Sequence, residues 1–110
     1  MIIDKTINYT LVTSDENTFT DFYTDFTKKQ TSLETAHLIV QLSDNLNTSK
    51  EEILLFLSVA AQHKKNATSF VLIIDNVSID DFPEDFNIVP TLEEAADIVE
   101  MEAIERELGF

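Results

Sequence analysis

Few side chains in this sequence could carry chemistry, and they are scattered. His37 and His63 could each act as a base, but neither has a serine or acid at a recognised catalytic spacing. With no cysteine, thiol catalysis, a thiolate metal site and a disulfide frame are all excluded. Gly109 is the single glycine, so no glycine-rich loop exists to cradle a phosphate. Asp75, Asp80, Asp81, Glu84 and Asp85 crowd one segment with oxygen ligands suited to calcium. They lack the spacing and turn glycine of a calcium loop and read as solvated loop. The neighbouring hydroxyls of Thr48 and Ser49 could accept a phosphate or simply cap a helix, and capping explains both without modification. The expectation is a chain that is not an enzyme and uses no metal or cofactor.

The elements that must position these groups fit one small domain. The 110 residues are 44% hydrophobic with a mean hydropathy of −0.03, enough to bury a core without staples. No apolar run approaches the roughly 18 residues of a membrane span. The opening residues lack the charged and apolar regions of a signal peptide, which favours a cytoplasmic protein. Glycosylation sequons at Asn8, Asn47, Asn66 and Asn76 carry no meaning in that setting. Net charge is −14, and residues 75–110 hold 12 carboxylates against Arg106 alone. Such a field repels nucleic acid and anionic lipid and could steer a basic protein surface. A plain acidic protein has the same composition.

Period-two alternation from Ile3 to Val12 predicts a hairpin bent near Thr6 to Asn8, with no glycine to mark the turn. Phe19, Phe22, Tyr23 and Phe26 form a helical aromatic stripe, read as a core face rather than a stacking surface. The polar run from Lys28 to Thr35 reads as loop. The runs 37–42 and 70–74 suit central strands covered on both faces. Ser49-Lys-Glu-Glu52 fits a capping box opening one helix that ends at Lys64 and Lys65, with Ile53, Phe56, Leu57 and Ala60 inward. His63 joins that terminal cation cluster. One helical turn near Asp80 to Phe82, a short strand at 87–89 and a second capping box, Thr91 to Glu94, lead into the last helix. Leu92, Ala95, Ala96, Val99 and Ala103 form its core face, and Gly109 ends it. Strands alternating with helices predict an α/β domain: a mixed sheet of four to five strands with helices packed on it and a capped C-terminal helix.

The apolar strand before Asn47-Thr48-Ser49-Lys50, the buried helix, the Phe70 strand and Ile88-Val-Pro-Thr-Leu-Glu-Glu-Ala95 together resemble the STAS domain of bacterial anti-sigma factor antagonists. The likeness covers the whole chain, residues 1–110, at the level of element order. In that family a strand leads to Asp-Ser-Ser/Thr-Gly at the start of a helix, and a partner kinase, itself the anti-sigma factor, phosphorylates the first serine. The resemblance sets Thr48 at that serine. Asn47 replaces the aspartate and Lys50 the glycine. It implies a non-catalytic regulatory domain whose partner is a kinase-like anti-sigma factor. The ending from Glu100 to Phe110 also resembles small bacterial chains labelled ribonuclease Z. That second likeness implies association with an RNA-processing nuclease, since the chain lacks the histidine cluster of its metal site.

Two surfaces are therefore expected to meet a protein partner. One is the helix start at Asn47, Thr48, Ser49 and Lys50, with Leu55 and Val59 on the exposed flank of that helix. The other is the extension 101–110. On a helical projection, Met101, Ile104 and Leu108 lie opposite Leu92, Ala96 and Val99. They could pack on the chain's own body after a kink, on a sister chain in a homodimer, or on another protein. Deleting 101–110 is expected to leave a folded domain that has lost an interaction.

Overall fold

In a computed structural model, whose described residues are 1–75 and 77–109, the chain forms a five-stranded mixed sheet with helices on both faces. Asn76, the head of one sequon and part of the acidic segment, and Phe110, the last residue of the extension, lie outside the described residues. Strand β1 (Ile2–Lys5) pairs antiparallel with β2 (Thr10–Thr13). Strands β3 (Leu38–Gln41), β4 (Phe70–Ile73) and β5 (Ile88–Val89) then add in sequence order, each parallel to its neighbour. The hairpin turn dispenses with glycine because Thr6 organises it. The Thr6 N–H donates to the Tyr9 carbonyl at 2.8 Å, and the Thr6 hydroxyl accepts from the amides of Asn8 and Tyr9.

Because the parallel strands all step in one direction, right-handed crossovers put their connections on one face. Helices α1 (Phe19–Leu33), α2 (Lys50–Leu54) and α3 (Leu57–Lys65), with Phe82 and Phe86 from the β4–β5 connection, pack there over Val12, Leu38, Val40, Phe70, Leu72 and Ile88. Helix α4 (Leu92–Glu107) follows the last strand and covers the other face, laying Ala95 and Val99 on Ile39, Val71 and Ile73. The alternation Leu38/Ile39/Val40 and Phe70/Val71/Leu72/Ile73 thus feeds two cores, which explains strands apolar at nearly every position. A radius of gyration of 13.2 Å suits one domain of this length.

Several expectations are corrected. Residues 28–33 continue α1 rather than forming a loop. Leu33, seven residues after Phe26, extends the buried stripe, and no proline or glycine interrupts it. The expected single helix after Ser49 is two. At Leu55 and Phe56 the backbone tightens, their amides donating to carbonyls three residues back, and the Tyr23 hydroxyl donates to the Leu55 carbonyl at 3.3 Å. Each residue in such a turn advances about 120° instead of 100°. That rotation carries Val59 into the core, fully buried, so Val59 is not on an exposed flank. It also buries His63, which is therefore no member of a surface cation cluster. Finally, α4 runs unbroken from Leu92 to Glu107, so no kink folds its end back onto the body.

Candidate functional site

Parallel sheets place ligand-facing loops at the carboxyl ends of their strands, and the sequence-predicted helix start lies at that edge. After β3 the chain makes a single tight turn at Asp44–Leu46. It then passes through Asn47 in the left-handed region (φ 47) and enters α2 at Ser49. Asn47, Ser49 and Lys50 are exposed, and Leu55 is half-exposed at 47%. Ser49 closes a complete capping box. Its hydroxyl accepts from the Glu52 amide at 3.1 Å, and the Ser49 amide donates to the Glu52 carboxylate at 2.9 Å.

Thr48 does not cap. Among the described residues, its buried hydroxyl oxygen has no hydrogen-bond partner. The two hydroxyls that look alike in sequence therefore differ. Ser49→Ala is expected to cost about 1 kcal/mol through the lost cap. Thr48→Val, which removes an unsatisfied buried hydroxyl and keeps the shape, is expected to leave stability unchanged or raise it by about 1 kcal/mol. Urea titration of both variants checks this, and a Thr48→Val chain that loses as much as Ser49→Ala would contradict the assignment.

The opposite, amino-end edge of the sheet holds a polar cluster that sequence reasoning missed. His37, Ser69 and Asn87 each stand one residue before a parallel strand, and α4 runs over them. Glu102 accepts from the Ser69 hydroxyl at 2.6 Å and from the Asn87 side-chain amide at 3.0 Å. Arg106 donates to the Ser69 oxygen at 2.9 Å and lies 3.7 Å from the Glu102 carboxylate. The Ser69 amide donates to His37 Nδ1 at 3.0 Å, which fixes the neutral tautomer with its proton on Nε2. Burial, and then the Arg106 charge against the opposing pull of Glu102, lowers the His37 pKa. Glu102 and Arg106 recur at i and i+4, a signal present in the sequence. Their partners Ser69 and Asn87 come from two distant segments, and His37 joins from a third through the Ser69 amide, which no local pattern reveals.

This clasp forms one wall of a cleft of about 560 Å³ between α3 and the end of α4, floored by Leu57, Phe70 and Phe86 and crossed by a Lys64–Asp85 pair at 3.8 Å. Neither histidine lines it. Ser69 is 1% exposed and held by Glu102 and Arg106, so its hydroxyl is a structural tie and presents no free nucleophile. His63 lies deeper. Its Nδ1 pairs with the Thr68 hydroxyl at 2.8 Å and its ring stacks on Phe70 at 5.4 Å, while Nε2 is buried with no partner among the described residues. Burial, reinforced by His37, pushes its pKa down to about 4. Among the described residues, no three histidine or acidic side chains come together to hold a metal ion.

The capping expected at Thr91 is half realised. Its oxygen accepts from the Glu94 amide at 3.2 Å, but the Glu94 carboxylate meets the Thr91 hydroxyl instead of the backbone amide. Beyond the core face, Met101, Ile104 and Leu108 are 53%, 50% and 66% exposed on the outside of α4, away from the clasp. Among the described residues, no helix is long and apolar enough to cross a membrane. No protein-family model matches the chain, and no curated protein matches it.

Proposed function

We propose that this chain is a non-catalytic protein-interaction domain of the STAS kind. Its docking surface is the α2 start, Asn47 to Lys50, with Leu55 beside it. The supporting observation lies at the carboxyl edge of the sheet. Asn47, in the left-handed region, adjoins Thr48, whose buried hydroxyl has no partner among the described residues. An unsatisfied buried polar group costs stability and persists only where something compensates it, a functional role among the explanations. Exposed Lys50 and Leu55 supply the charged and apolar contacts of a small docking site. Such a partner, a kinase-like anti-sigma factor, sets the domain in the cytoplasm. Phosphorylation at Thr48 would first have to bring its buried oxygen out to the kinase, so modification and docking would exclude each other.

The test is affinity capture from the native cell with phosphosite mapping, using the intact chain and a Lys50→Glu/Leu55→Asp variant. A kinase-like partner recovered with the intact chain and lost with the variant supports the reading. Recovery of a metallo-β-lactamase-like nuclease instead would replace it with the accessory role. Turnover of a small molecule by the purified chain would overturn both.

A further inference from the structure

We infer that the outer face of α4 is a second docking surface, and that its occupant is a cationic amphipathic helix lying alongside it. Met101, Ile104 and Leu108 are spaced three and then four residues apart, the a-d-a pattern of a helix-pairing seam, and all three are exposed. The stripe is about 10 Å long, two helical turns. In that register Glu100 and Glu107 take the g positions and Glu105 the e position, and all are exposed. These flanking positions choose the partner of a paired helix through salt bridges.

Arg106, the only cation of α4, is turned inward to Ser69, so it does not soften the field of the outer face. A second copy of this helix would set glutamate against glutamate whether it ran parallel or antiparallel, which argues against a homodimer through this face. Lysine or arginine at the partner's e and g positions, with leucines at a and d, satisfies both the stripe and its rim. The clasp holds α4 against the sheet through Glu102 and Arg106, so the stripe is presented on a fixed helix. This surface is separate from the α2 start, and either can fail while the other stands.

The experiment titrates the full chain into a labelled helical peptide of about 21 residues, with leucine at a and d and lysine at e and g. A scrambled peptide of identical composition serves as the control, and both are kept below their own self-association. Binding of the patterned peptide at least about tenfold tighter than the scrambled one is expected. Ile104→Asp makes the chain more acidic, so attraction by charge alone would tighten binding. Docking on the stripe predicts weakening of about tenfold or more. Reversing Glu100, Glu105 and Glu107 to lysine should abolish binding of the lysine peptide and create binding to its glutamate counterpart. Because these side chains are exposed, that variant tests the idea even if Ile104→Asp unfolds. Equal binding of both peptides, unchanged affinity in the charge-reversed variant, or a dimer of the free chain that Ile104→Asp dissociates would overturn the inference.

Discussion

Alanine at Phe56 is expected to destabilise the domain by about 3–5 kcal/mol, a large share of the roughly 5–15 kcal/mol typical of such domains. Phe56 is fully buried and is the ring that joins two layers. Its centroid lies 5.9 Å from Phe19, 5.4 Å from Tyr23 and 5.5 Å from Phe26, all on α1, and 6.0 Å from Phe70 on β4. Truncation removes apolar burial and edge-to-face contacts together, and leaves a void that four rigid rings cannot collapse to fill. Leu55, its neighbour in sequence, points outward. Leu55→Ala should therefore cost under about 1 kcal/mol. Urea denaturation of both variants, with Phe56→Leu as a milder third, gives the comparison. Equal losses at 55 and 56 would mean that the tightened turn between α2 and α3 is misplaced.

The second large effect is a loss of stability in mild acid that is specific to His63. The ring titrates near 6.5 when unfolded and is pushed down to about 4 in the fold, because burial disfavours the cation. Above pH 6.5 both states hold it neutral and it costs nothing. Between 6.5 and 4 the unfolded chain takes up a proton that the folded chain refuses, so stability falls as pH drops, and the loss levels off below 4. From pH 7.5 to 5 the loss is about 2 kcal/mol.

Acidification also relieves the self-repulsion of a −14 chain, which acts in the opposite direction. The lowered pKa of His37 acts in the same direction as that of His63. The measurement is therefore a difference between the wild type and His63→Leu, which cannot titrate. In that variant the Thr68 hydroxyl keeps the Glu34 and His63-position carbonyls as acceptors. The variant should lose about 2 kcal/mol less than the wild type over that range. Parallel pH profiles would show that His63 is not held neutral by the fold.

Much of the architecture was legible because it is written in local pattern. Apolar runs at 37–42 and 70–74, the Ser49–Glu52 box and Gly109 at the end of α4 (φ +83) all appear where local chemistry placed them. The end of α1 was not legible, because a polar run from Lys28 to Ser32 hides a helix that one distant leucine, Leu33, anchors to the core. The fate of Val59 and His63 was equally hidden. It turns on an extra rotation of a few tens of degrees at Leu55–Phe56. The candidate site divides in the same way. Asn47, Ser49 and Lys50 were identifiable as a helix start, but nothing in the sequence separates the satisfied hydroxyl of Ser49 from the stranded one of Thr48.

The sequence alone determined the alternation of strands and helices, the capped helix starts and the concentration of negative charge toward residues 75–110, since each depends on neighbours a few positions apart. Tertiary structure decided which histidine is buried, which leucines face outward, and that His37, Ser69, Asn87, Glu102 and Arg106 meet at one edge of the sheet. Those outcomes depend on the stepping of parallel strands and the crossing of α4 over them. That geometry joins residues more than thirty positions apart, such as Ser69 with Glu102 and with Arg106, beyond the reach of any periodicity in the chain.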